Sequence, residues 1–259
     1  MIPAGFAGVE AQLWLWMVAM IRPGAAFLAA PVFGASFVPV QLRLIIALAI
    51  GIPALAATNF QLPVEGLASI EGFMLVAGEV MAGLAIGFAV QIGFSAAMLA
   101  GETISNAMGL GFAGMVDPST GQQNPMLGQF LNIVAIFLFL AIGGHLALAA
   151  TIVESYRALP PGDAWMSADS IRGLVLFGGV LFAAGLSIAL PVGFAIILVQ
   201  VVMGMLARSA PQLNLFSVGL PAALLAGIVL LAMAAPVMGE GIIAVLQQGL
   251  AESRRLALG

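Results

Sequence analysis

Cysteine and lysine are both missing from this 259-residue chain, and charge of either sign is scarce: seven arginines and eleven acids make up 7% of its positions. Without cysteine there is no disulfide framework, no thiolate zinc site and no cysteine nucleophile. The net charge of -4 is spread thinly, and no basic run or stripe is available to neutralise a phosphate backbone, which excludes nucleic-acid binding. The lone histidine, His145, cannot supply a zinc coordination sphere by itself. No phosphate-cradling loop, dinucleotide fingerprint or credible Ser, His and Asp set is present. The sequence therefore offers no cofactor, no metal and no catalytic machinery, and it is not read as an enzyme.

What is abundant is apolar surface. Hydrophobic residues form 63% of the chain and the mean hydropathy is +1.18, whereas a soluble domain has roughly a quarter of its positions charged. Water is not the main solvent of such a surface. Apolar runs near 11–31, 42–57, 72–100, 126–153, 173–207 and 214–237 predict about six helical membrane segments. Open sheets are excluded because lipid cannot satisfy their edges, and no β-barrel alternation is visible. The N-terminus lacks the basic region and small-residue cleavage site of a secretory signal, so its apolar stretch is expected to remain. Pro23 and Pro31 are expected to break the first run, Pro53 to end the second and Pro191 to interrupt the fifth, each by removing a backbone donor. Residues 72–100 measure about 43 Å as a continuous helix, beyond the thickness of a bilayer. Arg157, Arg172, Arg254 and Arg255 fall on one side of a six-span arrangement, with Arg43 and Arg208 on the other, which decides little about orientation. The organisation expected is one membrane domain over 1–246 and a short tail over 247–259.

The most unusual stretch is Gly101 to Gln129, which lies between apolar helices without being strongly polar. Gly109, Gly111, Gly114 and Gly121 make it permissive, Asp117 with Pro118 signals a turn, and Met108, Phe112 and Met115 add soft apolar surface. Two readings fit: an interfacial turn, or non-helical backbone lining a protein cavity as a plug would. Small residues four apart, Gly83 with Gly87 and Ala97 with Gly101, allow close helix packing against other helices. Arg22, Glu79, Gln91, His145 and Gln200 fall within apolar runs and should face protein or water. Glu79 reads either as a proton or ion relay or as a structural carboxylate partnered by Arg22. His145 reads as a satisfied packing histidine or as a ligand.

In order along the chain stand Arg22, APVFG at Ala30 to Gly34, Pro39, Arg43, GEVMAGLAIGF at Gly78 to Phe88, AGE at Ala100 to Glu102, GLGFA at Gly109 to Ala113, and the DP of Asp117 and Pro118. FLFLAIGGH ending at His145, ESYRALP at Glu154 to Pro160, Leu190 with Pro191, and APQLNLFSVGLP at Ala210 to Pro221 follow. Over nearly the whole chain this order resembles the FliR family of type III export-gate subunits. The related virulence-associated branch shares the general plan, and GLGFA with the following DP favours the flagellar one. The resemblance implies an all-α membrane protein of bent helical hairpins, one copy completing a ring of FliP chains with FliQ, FlhB and FlhA alongside, in a stack rising from the bacterial inner membrane toward the periplasm. It implies a channel plug over about 106–122, with Met108, Gly109, Gly111, Phe112, Gly114, Met115, Asp117 and Pro118 as its gate residues. Gly83, Gly87, Gln212 and Asn214 are then subunit-packing positions, and Arg22, Glu79 and His145 buried structural ones. Unfolded flagellar proteins are the implied cargo, and energy comes from other subunits. The rival from another class is a small-solute secondary transporter with a midplane site at Glu79 and Pro191, which requires matching hydropathy in its two halves; none is visible. A membrane-embedded enzyme using His145 is a third reading.

Overall fold

The computed structural model describes residues 7–35, 37–58, 60–63, 67, 69–110, 126–163, 165–209 and 219–259. Among them lie seven helices: α1 (Ala7–Ala29), α2 (Val40–Ala56), α3 (Ile70–Ala107), α4 (Met126–Ala141), α5 (Gly144–Ala158), α6 (Ala168–Ser209) and α7 (Leu220–Leu258). No strand occurs among the described residues. α1, α3, α6 and α7 are long and apolar enough to cross a membrane, and α4 with α5 adds a fifth span if that pair counts as one broken crossing. The chain is an all-α membrane protein.

The expected runs and the helices differ at informative places. The second run is α2, whose 17 residues reach only about 26 Å, short of about 30 Å of hydrocarbon. The fourth run is two helices, because Gly143 adopts the left-handed conformation, with φ 71°, that a side chain disfavours. The prolines break less than their chemistry suggests. Pro23, Pro53, Pro191 and Pro236 all lie inside helices, since membrane and packed helices absorb one missing donor through local adjustment and neighbouring groups. α1 does end at Ala29, two residues before Pro31. Residues 247–258, expected as a short tail, form the last turns of α7. Glu252, Arg254 and Arg255 interrupt the apolar run there, while Ser253, Leu256 and Ala257 remain buried.

The chain divides into two compact units. The first comprises Met1–Ile92, Gly143–Gly178 and Gln247–Gly259, and so holds α1, α2, α5 and parts of α3, α6 and α7. Here α1 and α2 form a hairpin whose turn is the APVFG element. Phe33 stacks obliquely on Phe27, with ring centroids 4.5 Å apart, and Arg43 of α2 donates from Nε to the Phe33 carbonyl at 2.9 Å. Leu256 packs into a core with Ala85 and Ala89 of α3, joined by Met166 and Leu174. Arg254 pairs with Glu154 at 3.1 Å.

The second unit comprises Gly93–Ile142 and Gly179–Leu246. Gly101 lets α3 meet the start of α4, where a Cβ would fall 2.7 Å from the Gly128 Cα. Phe94 and Phe139 then pack edge to face at 5.3 Å, an arrangement favoured by the ring quadrupole.

Gly83 and Gly87, expected against another subunit, face α1 of the same chain. A Cβ on Gly83 would collide with the Arg22 carbonyl oxygen and lie 2.8 Å from the Ala25 Cβ, and one on Gly87 would collide with the Ala26 carbonyl oxygen. Small residues four apart state that a helix comes close; they do not state which helix. Gly83→Leu is accordingly expected to lower the stability of the chain itself, at or above the upper end of the ~1–3 kcal/mol typical of overpacking. Thermal unfolding of the detergent-solubilised protein measures this, and an unchanged midpoint contradicts the close approach.

Candidate functional site

Two regions of the chain carry candidate functional residues. The first is the polar cluster of the first unit. Arg22 and Glu79 have no exposed surface and lie in apolar stretches of α1 and α3. They meet as a fork: Arg22 Nε donates to Glu79 Oε2 at 2.9 Å and Nη2 to Oε1 at 2.7 Å. Nη1 donates to Ser155 Oγ at 3.0 Å, and Nη2 also to the Leu159 carbonyl at 2.8 Å. The guanidinium lies 4.3 Å from the centroid of the Tyr156 ring, within cation–π range. Tyr156 donates its hydroxyl hydrogen to the Ala19 carbonyl at 3.0 Å, and Ser155 Oγ donates to the Ile152 carbonyl at 2.7 Å. One arginine of α1 therefore holds α3, the end of α5 and the residue after it.

Chemically this is a closed ion pair. A planar five-donor guanidinium suits a buried carboxylate because it satisfies both oxygens at once. The sequence suggested the pairing of Arg22 with Glu79. It assigned no role to Ser155, Tyr156 or Leu159, although their segment ESYRALP is one of the motifs that carry the family resemblance. His145, read as a packing histidine or as a ligand, lies in the first turn of α5, and its Nδ1 is buried without a hydrogen-bond partner. No group of three or more potential metal-ligating side chains gathers among the described residues.

The second region is the described stem of the glycine-rich segment. α3 ends at Ala107, and Gly109 follows with φ 79°. The Gly109 N–H donates to the Asn106 carbonyl and the Leu110 N–H to the Ser105 carbonyl, both at 3.0 Å. These are the two bonds of a Schellman stop, with glycine in the left-handed position. Met108, expected on the surface of the segment, is 3% exposed and packs on Gly227 of α7. Gly111, Phe112, Gly114, Met115, Asp117 and Pro118 lie outside the described residues, as do Gln212 and Asn214.

The ion pair gives a sharp expectation. Arg22→Met alone leaves a buried carboxylate without its counter-charge and is expected to cost about 3–5 kcal/mol, while Arg22→Met with Glu79→Leu recovers most of that. A double-mutant cycle on thermal unfolding reads the coupling; purely additive effects contradict the fork.

The family model of bacterial export proteins, family 1, matches residues 13–249. The flagellar biosynthetic protein FliR of Escherichia coli (strain K12) is 33% identical over 230 residues, covering 88% of this chain and 85% of the relative. FliR of Pectobacterium carotovorum subsp. carotovorum is 34% identical over 218 residues, 84% and 83% of the two chains. The surface presentation of antigens protein SpaR of Shigella flexneri is 29% identical over 203 residues, 76% and 78% of the two. With one model spanning most of its length, and relatives a third identical over most of both chains, this protein belongs to the bacterial export proteins, family 1.

Proposed function

We propose that the chain is a structural subunit of the flagellar type III protein-export gate, forming part of the channel and of its plug for unfolded flagellar proteins. The observation that carries this is the match along 13–249 to the export family, with flagellar biosynthetic proteins at 33% and 34% identity over most of both chains. Its place is the bacterial inner membrane within the flagellar basal body, with the assembled gate projecting toward the periplasm. Its partners are FliP and FliQ in a common core, with FlhB and FlhA alongside. The chain supplies surface and closure, not chemistry.

The proposed plug spans about 106–122, with Met108, Gly109, Gly111, Phe112, Gly114, Met115, Asp117 and Pro118 as its gate residues. The Schellman stop at Gly109 supports it by ending α3 where the glycine-rich stretch begins. In the mechanism, soft methionine surface and unhindered glycine backbone seal against ions at rest and yield to an entering chain. Met108 acts from within the chain, as the packed root of the plug. Gln212 and Asn214 are proposed as partner-facing positions. Gly83 and Gly87 act on subunit packing only through α1, whose position they set.

A second reading, a virulence secretion gate subunit, draws on the 29% identity to SpaR. It shares the architecture and differs in cargo. Restoration of motility when the chain replaces FliR in a strain lacking it supports the flagellar assignment, and failure beside rescue of a secretion-deficient strain reverses it.

Deleting Gly109 to Gly114 in the assembled complex is expected to make the membrane leaky to small ions, read as conductance in a planar bilayer. Unchanged conductance removes the plug role.

A further inference from the structure

The first unit holds a cavity of about 760 Å³ where the end of α2, the start of α3, the end of α5 and the turn after it come together, with Thr58, Glu71, Met74, Tyr156, Arg157 and Gly162 in its wall. That volume is typical of a small-ligand site. Part of the wall is rigid without an occupant. The turn from Pro160 is closed by the Asp163 N–H, which donates to the Pro160 carbonyl at 3.1 Å. Pro161 and the left-handed Gly162, φ 99°, occupy its two central positions, which favour proline and glycine in that order. Leu159, just before the turn, is fastened through its carbonyl to Arg22.

Glu71 and Arg157 are both exposed, and neither forms a hydrogen bond or ion pair with a described residue. Each suits the helix end on which it sits, an acid in the first turn of α3 and a base in the last turn of α5. The helix dipoles do not account for two opposite charges that share one cavity and leave each other unpaired. A ligand carrying both signs does. A guanidinium takes a phosphate through two parallel hydrogen bonds, and a carboxylate accepts from a primary ammonium.

The surroundings narrow the ligand to an amphiphile. Ile70, Phe73, Met74, Met81, Leu84 and Phe88 of α3 are exposed and fall within an arc of about 100° on that helix, whereas no residue from Ala89 to Ser105 is exposed. The outward face of α3 is therefore about 27 Å long, close to the ~30 Å of a hydrocarbon core. The cavity stands at the outer end of this face, and Met74 belongs to both.

We propose that the cavity binds the headgroup of a zwitterionic phospholipid with a primary ammonium: Arg157 takes the phosphate, Glu71 takes the ammonium, and the acyl chains run along the outward face of α3. This goes beyond the export reading and does not depend on what cargo passes. The bound headgroup braces Tyr156, whose ring covers the Arg22 guanidinium.

The test uses the full chain in mild detergent, stripped of lipid and then given phosphatidylethanolamine, phosphatidylglycerol or free phosphoethanolamine. Native mass spectrometry reads the bound molecule, and the thermal unfolding midpoint reads its effect. Phosphatidylethanolamine is expected to bind more tightly than phosphatidylglycerol, which has the phosphate without the ammonium, and to raise the midpoint further. Arg157→Gln is expected to weaken both lipids by roughly tenfold, the effect of one lost hydrogen bond between charged groups. Glu71→Gln is expected to erase the preference between them and leave phosphatidylglycerol unaffected. Both side chains are exposed, so the lipid-free midpoint serves as the control for folding. Equal binding of the two lipids to the unaltered chain, or binding that neither substitution changes, overturns the site. Free phosphoethanolamine bound as tightly as the whole lipid overturns the membrane source. The chain assembled with its export partners is expected to retain the lipid; its displacement there shows that a partner fills the cavity and overturns the proposal. None of these outcomes bears on the export assignment, which restoration of motility reads separately.

Discussion

A charged group with no access to water must have its hydrogen bonds met by protein, and Arg22 meets this demand from three directions. Glu79 supplies charge and two acceptors, Ser155 and the Leu159 carbonyl supply two more, and the Tyr156 ring covers one face. The arrangement contributes less to net stability than its short distances suggest, because desolvating both ions offsets much of their attraction. What it contributes is uniqueness. Sliding α3 along α1 by one turn would leave both charges buried and unpaired, so the pair admits one register. Gly83 and Gly87 then let the two backbones meet in that register, with a carbonyl of α1 where each Cβ would be.

The same demand explains why long apolar helices can stop inside such a molecule. Where water is absent, the end of a helix is as much an unpaired polar surface as a buried charge. α3 ends in a left-handed glycine and a glutamine from another helix, and α5 begins after a left-handed glycine. The hairpin turn between α1 and α2 is held partly by Arg43 on the Phe33 and Ala35 carbonyls. Arginine and glutamine in apolar stretches thus serve the backbone as well as other side chains.

Much of this was legible in the sequence, for a physical reason. Lipid forbids most alternatives, so composition and run length led directly to helices, and a lone carboxylate among apolar residues implied a cation such as Arg22. The organisation of the helices was less legible. Pro191 and Pro23 read as breaks because the local rule is strong, yet α6 and α1 run through both. The two adjacent glycines before His145 carried no expectation of a break, yet the left-handed Gly143 divides one apolar run into two helices. Residues 247–258, expected as a short tail, continue α7, with Gly249 and Leu256 set against α3. Ser155, Tyr156, Gly227 and the cap formed by Gln200 depend on which helices become neighbours, and no local pattern carries that information.

The length of α6 bears on what surrounds it. Large apolar side chains are exposed from Ile171 and Val175 to Met205 and Leu206, a stretch of about 53 Å along a continuous helix. A bilayer offers about 30 Å of hydrocarbon, and a tilt of ~40°, the upper end of the usual range, lengthens the covered path to only about 39 Å. Lipid therefore leaves part of this surface in contact with water unless another protein covers it. α7 sharpens the contrast: its most apolar window is 11% buried within the chain, against 56% for α3. α3 finds its packing inside its own polypeptide, through Gly83, Gly87 and Gly101, whereas α6 and α7 present their flanks outward. Such uncovered flanks are the physical ground on which the proposed place of the chain in a larger helical assembly rests.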